Sequence, residues 1–473
     1  MKYEQFYKSI EKAVEKFKSF DKNETIRLIS HLDADGISAC AILIHLLTQE
    51  NRKYSISIVQ QLDREKLLEL SRESYSYFIF SDLGSGQIKS INELLKDKQI
   101  IILDHHEPEK IENLNENIIH INPHLFDIDG SKEISGAGVV YSFAKAIDKK
   151  FEELAHVAII GAMGDVQEDN GFLKLNNQIL ETAVKKGKLE VKKGLRMFGM
   201  QTKPLHKVLE YSTDPYIPGV SGSESGAIQF LHQIGIDPKN GNKGWKKIVH
   251  LNDEEMKKLT TGIIMKRLNE TKPEDVLGQI YILPHEKKES PTRDAKEFAT
   301  LLNACGRMEK ASFGMGACLG IEKDKQKAFQ TLLDYKKEIV NAINWYNNNK
   351  NSMYIIKGKR FIIINAQDQI NPNIIGTLAS IISKSNDIEE NTYILSLAQT
   401  LNKTTKASLR ISGQKKEDID LRDVLKQIIA KTGGEAGGHM SAAGALIPIE
   451  KEQEFIDIAK NILAKKGMEE KIS

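Results

Sequence analysis

The first third of the chain contains four short apolar runs, and each run is followed at once by acidic or histidine side chains. The four polar motifs are His31-Leu32-Asp33-Ala34-Asp35-Gly36, Ser81-Asp82, Asp104-His105-His106 and Gly164-Asp165. Short apolar runs that alternate with helical patterns are typical of buried strands in a parallel sheet. Because ligands bind at the carboxyl ends of such strands, the four motifs can meet at one site.

The apolar runs predict the strands, and the segments between them predict helices. The strand runs are 26–30, 77–80, 99–103 and 157–160, of which the last also suits a helix, and helical patterns cover 39–47 and 91–95. The whole pattern indicates an α/β fold.

The residue types of the motifs are those that hold divalent cations. Such ions bind deprotonated carboxylates and neutral imidazoles, and a pair of ions needs a bridging carboxylate. The spacing of His31, Asp33 and Asp35 places alternate side chains on one side of an extended loop, where they can face a common point. Gly36 then permits a tight turn into a helix.

Taken singly, each motif also has an ordinary structural explanation. The first motif suits an acidic turn in water, and Asp82 and Asp165 suit helix caps. The pair His105 and His106 suits a hydrogen-bonded surface cluster.

A glycine-rich stretch at 433–444, Gly-Gly-Glu-Ala-Gly-Gly-His-Met-Ser-Ala-Ala-Gly, is a second candidate site. Glycines in a loop can expose backbone N–H groups to an anion. Together with Arg410 and Ser412, the loop indicates a clamp for a phosphate backbone.

Length and composition limit the number of domains and the class of protein. At 473 residues the chain is expected to form two or three domains. It carries 67 Lys and Arg against 65 Asp and Glu, so its charge alone does not indicate a nucleic-acid binder.

The three cysteines lack metal-ligand spacing and indicate buried thiols in a reducing compartment. The segment 1–22 predicts an amphipathic helix rather than a signal peptide, which indicates a cytoplasmic protein without a membrane span.

Changes in composition along the chain predict three regions, 1–190, 191–350 and 351–473. In the middle region, 218–226 predicts a loop before a helix, and 328–349 predicts a connecting helix. In the last region the predicted strands are 353–356, 361–364, 392–396 and 407–411, and the predicted helices are 374–384 and 421–429.

In their order, these motifs resemble the DHH phosphoesterase superfamily, and the stretch 437–444 resembles its DHH-associated C-terminal domain. The resemblance covers about residues 25–190 and 350–450. The segments 302–307, 312–314 and 317–320 are similar to the archaeal RecJ-like branch, which includes the GINS-associated nuclease.

The resemblance implies an N-terminal parallel-sheet DHH domain, a middle insertion and a C-terminal α/β DHH-associated domain, with a cleft between domains for single-stranded nucleic acid. It implies an exonuclease that uses two Mn²⁺ or Mg²⁺ ions on single-stranded DNA or RNA during replication or repair. GINS and replicative helicase components are the implied protein partners.

The resemblance also implies roles for individual residues. The first metal would be held by His31, Asp33 and Asp82, and the second by Asp35, Asp82, His105 and Asp165. His106 would contact the scissile phosphate, and Asp104 would orient the histidine pair. The substrate backbone would be gripped by Ser408, Arg410, Gly437, Gly438 and His439. Some relatives carry a second acid after the fourth motif, where this chain has Gln167, Glu168 and Asp169.

Two other functions are compatible with these motifs. One is a phosphodiesterase for very short RNA or cyclic dinucleotides, although the long middle region favours a polymer. The other is a catalytically silent scaffold of the replicative helicase, although all expected metal ligands are present. Candidate stacking residues for bases are Tyr211, Tyr216, Phe230, Trp245 and Phe313, for which core packing is the expected role.

Overall fold

The computed structural model describes residues 2–169, 171–385, 387–413 and 419–469, without the side chains of Lys243, Glu435, His439, Met468 and Glu469. The chain divides into two compact units, Met1–Leu332 and Leu333–Ser473. The predicted division of the first unit at residue 190 stays a prediction.

Helices and strands alternate through the first part of unit 1. The helices are α1 (Lys2–Ser19), α2 (Ala34–Gln49), α3 (Arg64–Arg72), α4 (Ile88–Leu94), α5 (Gly136–Ile147), α6 (Ala155–Gly164), α7 (Lys174–Lys185), α8 (Leu205–Glu210), α9 (Glu224–Gln233), α10 (Asp253–Lys266), α11 (Ala295–Arg307), α12 (Ala311–Cys318) and α13 (Glu322–Asn349). The strands are β1 (Ile26–His31), β2 (Tyr54–Val59), β3 (Tyr77–Ser81), β4 (Gln99–Leu103), β5 (Ile118–Ile121), β6 (Glu190–Leu195) and β7 (Leu277–Ile282).

A five-stranded parallel sheet forms the centre of unit 1, in the order β2-β1-β3-β4-β5. The central strands β3 and β4 are buried at every residue but the first, as the apolar runs predict. The strands predicted before the first three motifs are therefore confirmed. Because all strands run the same way, their carboxyl ends share one edge of the sheet.

The apolar run before the fourth motif forms a helix. It lies in α6, of which every residue except His156 and Gly164 is buried. A short apolar run suits a buried helix as well as a buried strand. Here the helix packs against α2, α5, α7 and α11, which cover its surface. The helical alternative that the sequence leaves open is the one that forms.

The other predictions for unit 1 are also tested. Helix α1 buries an apolar face that includes Phe6, Ile10 and Phe17, as its amphipathic pattern predicts. The predicted loop at 218–226 leads into α9, whose first turn is capped by Ser223. Strands β6 and β7 form an antiparallel pair beside a separate apolar core. All three cysteines are buried free thiols, as expected.

Unit 2 has a six-stranded mixed sheet, in the order β12-β13-β11-β10-β9-β8. Its strands are β8 (Ile355–Gly358), β9 (Phe361–Asn365), β10 (Tyr393–Gln399), β11 (Thr404–Ile411), β12 (Glu435–His439) and β13 (Ala442–Pro448), and its helices are α14 (Pro372–Ile382), α15 (Leu421–Thr432) and α16 (Glu452–Glu469). One face packs on α15 and α16 around an apolar core. The four predicted strands and both predicted helices are confirmed to within three residues, and α13 includes the connecting helix predicted at 328–349.

The glycine-rich stretch at 433–444 differs from the predicted loop, because most of it forms the hairpin β12-β13. Gly437 pairs with Gly444, and Gly438 pairs with Ala443. Strand β13 in turn pairs with β11, so the hairpin completes the edge of the sheet. Small residues allow this edge because Gly438 has φ 116°, which a residue with a side chain rarely adopts.

Helix α11 connects the middle of unit 1 to the edge of the parallel sheet. At its start, the buried carboxylate of Glu297 accepts hydrogen bonds from the Gln201 backbone and the Thr202 hydroxyl. Near its end, Asn303 Oδ1 accepts the backbone N–H of Ala34 at 3.1 Å. A Cβ at Gly306 would collide with the Leu32 carbonyl, so only glycine permits this approach. The middle region thus supports the first polar motif.

None of the helices in the described ranges is both long and apolar enough to cross a membrane.

The capping residue of α11 gives a testable pH dependence. Asp294 accepts the backbone N–H groups of Lys296 and Glu297, and burial together with Glu297 raises the pKa of Asp294 from 3.8 to about 7. Between these values the folded chain retains a proton that the unfolded chain releases. Stability from this group therefore falls as pH rises from about 4 to about 7, by up to about 1.4 kcal/mol per pH unit.

Asp294→Asn keeps a capping side chain but cannot ionise. We expect the variant to lose this part of the pH dependence, measured as denaturant unfolding free energies between about pH 4 and about pH 7. Asp253→Asn, at the exposed start of α10, is the matched control. Equal pH dependence in Asp294→Asn and the unmodified chain would contradict the assignment.

Candidate metal centre

The first motif lies at the junction of β1 and α2. His31 is the last residue of β1, Asp33 is the N-cap of α2, and Asp35 lies in the first helical turn. This differs from the extended loop that the spacing predicts, because the Asp33 side chain accepts the Gly36 N–H at 3.0 Å and starts the helix at once. His31 Nδ1 lies 3.0 Å from Asp33 Oδ2, whereas Asp35 groups with His105 and Asp165.

Asp82 follows β3 with a left-handed backbone, φ 57°, and its carboxylate is buried. Its Oδ2 lies 3.5 Å from His31 Nδ1, and its Oδ1 lies 3.3 Å from His105 Nε2. The two oxygens of one carboxylate therefore face two different imidazoles. This is the arrangement that a bridging ligand requires.

His105 connects Asp82 to the remaining acids. Its Nε2 lies 3.1 Å from Asp165 Oδ2 and 3.7 Å from Asp35 Oδ2. Its Nδ1 lies 2.7 Å from the carbonyl of Gly130, to which it donates. That hydrogen bond leaves the lone pair on Nε2, where a metal can bind.

Asp104 is buried and holds the backbone of the third motif. Its Oδ2 accepts the Ser85 N–H, and its Oδ1 accepts both the His105 N–H and the His106 Nδ1, the last at 2.8 Å. Asp104 thus orients the His106 ring directly, whereas the His105 ring is oriented by Gly130. Burial opposes ionisation of Asp104, but His106 outweighs it and holds the pKa of Asp104 below its ordinary value.

Backbone N–H groups at the start of α5 hold Asp35. Gly136 donates to Oδ2 at 2.6 Å and Ala137 donates to Oδ1 at 3.1 Å. Glycines make this approach possible, because a Cβ at Gly136 would lie 2.5 Å from Asp82 Oδ1 and one at Gly161 would collide with Asp35. The carboxylates are therefore packed against backbone that leaves them no room to move apart.

The crowded acids carry a large electrostatic cost. Burial, and then the neighbouring Asp82 and Asp165, raise the pKa of Asp35 well above its ordinary value. Burial lowers the pKa of His105, but Asp165 and Asp82 outweigh it and raise the pKa well above its ordinary value. The site therefore favours bound positive charge, as buried carboxylates do when no other group neutralises them.

Divalent cations fit this cluster. Among the described residues, His31 Nδ1, both Asp82 oxygens and His105 Nε2 are buried side-chain atoms without a hydrogen-bond partner. Three groups have ligand atoms within 4.8 Å of one another: His31, Asp33 and Asp82; Asp35, His105 and Asp165; and Asp82, His105 and His106. Such oxygen and imidazole sets suit Mn²⁺, and Mg²⁺ where oxygens dominate.

Several residues that support the cluster are not evident from the sequence. Gln167 donates from Nε2 to the Gly130 carbonyl at 2.9 Å, and this nitrogen lies 3.3 Å from His105 Nδ1. Asn122 donates to the His106 carbonyl and to the Ser85 hydroxyl. The only available signal for Gln167 is its place just after the fourth motif.

The three polar residues that follow the fourth motif, Gln167, Glu168 and Asp169, have different surroundings. Gln167 is buried beside His105, whereas Asp169 is exposed and lies 3.8 Å from Arg196. Glu168 accepts the Gly171 N–H. Of these three residues, Gln167 is the one whose side chain lies beside His105.

The predicted substrate-binding residues lie in unit 2. Ser408 and Arg410 lie on β11, where the Arg410 guanidinium donates to Ser380 Oγ and to the Leu409 carbonyl. Gly437 and Gly438 lie on β12. His439 ends that strand, and its side chain lies outside the described residues.

The aromatic candidates do not all pack in the core. Phe230 is buried and Phe313 is partly buried, but Tyr211, Tyr216 and Trp245 are exposed by 55%, 40% and 42%. Core packing was therefore the wrong expectation for these three rings. Polar neighbours cover parts of two of them instead, since Lys203 and Lys207 lie over Tyr211 and His206 lies against Trp245.

Comparison with known families explains the arrangement of the chain. Residues 25–163 match the DHH family N-terminal domain, 197–280 match the DHH-CID domain, and 358–465 match the DHHA1 domain. The uncharacterized protein MJ0831 of Methanocaldococcus jannaschii is 32% identical over 471 residues, which cover 96% of this chain and 98% of that protein. The chain belongs to the DHH family. Its first motif, the cluster of His31, Asp33 and Asp35, lies within the DHH domain.

Solved structures show that this DHH protein has a RecJ-like fold. RecJ of Thermus thermophilus in complex with Mn²⁺ has a TM-score of 0.59 at 16% identity, covering 97% of this chain and 55% of RecJ. CDC45 of Entamoeba histolytica has a TM-score of 0.65 at 12% identity, covering 97% of this chain and 99% of CDC45. YorK of Bacillus subtilis, named as a single-strand DNA-specific exonuclease, is 26% identical over 178 residues, or 34% of this chain and 30% of YorK.

Gln167→Ala tests how the centre is held. Removing the amide frees the Gly130 carbonyl and loosens the His105 ring, so we expect Mn²⁺ affinity to fall about 10- to 100-fold. The Mn²⁺ affinity is measured from the increase in melting temperature during a Mn²⁺ titration. Gln326→Ala, an exposed residue of α13 whose amide donates to Glu322, is the control. Unchanged Mn²⁺ affinity in Gln167→Ala would exclude the positioning role.

Proposed function

We propose that this DHH protein is a two-metal phosphodiester hydrolase that removes nucleotides from an end of single-stranded DNA. The observation that carries the proposal is the ligand cluster around buried Asp35, Asp82 and His105, with the two oxygens of Asp82 facing His31 and His105. The name of YorK and the Mn²⁺ and Mg²⁺ complexes of Thermus RecJ support this chemistry.

The proposed metal ligands follow the predicted assignment. His31, Asp33 and Asp82 would hold one ion, and Asp35, Asp82, His105 and Asp165 would hold the other. When bound, the ions would supply an activated water and stabilise negative charge on the phosphate.

The protein's own contribution is to orient these groups. Gly136 and Ala137 hold Asp35, and Gly130 directs the His105 lone pair toward the cluster. His106 is 28% exposed and donates from Nδ1 to Asp104. Burial lowers the pKa of His106, but Asp104 outweighs it and raises that pKa, so the protonated ring would donate from Nε2 to the scissile phosphate. The preformed arrangement avoids reorganisation when the substrate arrives.

Residues of unit 2 would hold the strand by its backbone. Ser408 and Arg410 lie next to each other on one face of β11, beside Gly376 of α14. We propose that they, together with Gly437, Gly438 and His439, contact phosphates. Such contacts read no base sequence, which suits a nuclease that acts on any single strand.

Asp82→Asn tests the proposed metal sites. The substitution keeps the size of the side chain but removes the negative charge that two ions would share. We expect nucleotide release from end-labelled single-stranded DNA in Mn²⁺ to fall by at least about a hundredfold, since even ligand-supporting residues cost up to that much. Labelling either end also shows which end is consumed.

Asp97→Asn, an exposed acid before β4, is the matched control. Asp165→Ala should behave like Asp82→Asn, and EDTA should stop the unmodified chain. Full activity in both Asp82→Asn and Asp165→Ala would refute the proposal.

A phosphodiesterase for very short RNA or cyclic dinucleotides is the first alternative. Rates on a dinucleotide and on a long single strand distinguish the two substrates. We expect the long strand to be preferred, because the phosphate contacts proposed in the DHHA1 region would hold nucleotides that a dinucleotide lacks. A preference for the dinucleotide would favour the alternative.

A non-catalytic scaffold is the second alternative, and the likeness of fold to CDC45 favours it. GINS and helicase components are the proposed protein partners in either case. Stable association with such partners, without hydrolysis in Mn²⁺ or Mg²⁺, would favour the scaffold.

A further inference from the structure

Val166 combines two unfavourable features beside the metal centre. Its backbone is left-handed, with φ 56°, although a β-branched side chain strongly disfavours this region. Its side chain is also 77% exposed, so burial does not offset the strain. Strain of this kind persists where the surrounding structure enforces it, often at a functional site.

Other helix ends in unit 1 show which residues this position ordinarily takes. Six helices end with the same two backbone hydrogen bonds around a left-handed residue. The left-handed residues are Asn51, Val166, Gly187, Gly235, Glu309 and Gly320. Glycine or asparagine is the usual residue there. Val166 is the β-branched residue among these six.

The left-handed turn itself has a clear cause. The residue before it, Asp165, lies 3.1 Å from Nε2 of His105, and the residue after it, Gln167, lies 3.3 Å from Nδ1 of the same ring. The chain must reverse at position 166 to bring both side chains to opposite nitrogens of one imidazole. Glycine would make this turn with less strain.

The need for a turn therefore explains the backbone but not the isopropyl group. A molecule that covered this side chain would offset the strain, because removing apolar surface from water is stabilising. Asp165, the adjacent residue, belongs to the ligand cluster. Val166 therefore lies one residue, about 3.8 Å between Cα atoms, from a proposed metal ligand.

We infer that Val166 is a substrate contact, whose isopropyl group packs against the sugar or base of the nucleotide at the metal centre. The inference rests on the proposed function and adds a substrate contact to it. An apolar contact has no donor or acceptor, so it accepts every base. It excludes water from one side of the terminal nucleotide.

Two substitutions separate the side chain from the turn. Val166→Gly removes the isopropyl group and suits the left-handed backbone, and Val166→Asn replaces it with a polar group that tolerates this conformation. Asn51→Gly is the matched control, because Asn51 has φ 51° and the same pair of hydrogen bonds at the end of α2.

The readouts are melting temperature, the Mn²⁺-induced shift of that temperature, and the dissociation constant for a labelled single-stranded DNA oligonucleotide in Ca²⁺. We expect both Val166 variants to keep or raise the melting temperature and to keep the Mn²⁺ shift. We expect their affinity for the oligonucleotide to fall about tenfold or more, the value of one buried valine side chain. Asn51→Gly should bind as the unmodified chain does.

Each result decides the inference. Unchanged oligonucleotide affinity in both variants overturns the Val166 contact and leaves the proposed hydrolase standing if the unmodified chain is active. A loss of the Mn²⁺ shift in both variants also overturns it, because Val166 then acts on the ligands. An unmodified chain that neither binds nor hydrolyses single strands overturns the proposed function and the contact together.

Discussion

The geometry of the site depends on the buried carboxylate of Asp82 and its position between two histidines. This carboxylate lies between His31 and His105, with one oxygen toward each, and neither oxygen has a hydrogen-bond partner among the described residues. A carboxylate in this state is expensive unless positive charge neutralises it. This electrostatic cost arises because the parallel sheet brings the ends of β1, β3 and β4, and with them the polar motifs, to one edge.

Close backbone packing converts this edge into a rigid site. Gly136 and Gly161 let α5 and α6 approach the acids, and Gly306 lets α11 support the loop before α2. The Gly130 carbonyl and the Gln167 amide then set the ring of His105. These supports come from segments far apart in the chain, so the ligand geometry is a property of the whole of unit 1.

Much of this arrangement can be predicted from the sequence. The strands before the first three motifs, the helix α1, and the four predicted strands and two predicted helices of unit 2 follow from apolar periodicity, which reports burial directly. The helix α6 could not be decided in the same way, because a fully buried helix has no polar face. The hairpin at 433–444 was also missed, since glycines satisfy a loop and an edge strand equally well in sequence.

The sequence by itself determined which residues are candidates for the chemistry, because carboxylates and imidazoles are the side chains that hold divalent cations. Only the tertiary structure decided how they are held. The hydrogen bonds that His105 donates to Gly130 and that Gly136 donates to Asp35 join residues that periodicity does not connect. The left-handed Val166 likewise became visible only when backbone angles and exposure were known, since a valine in sequence predicts neither.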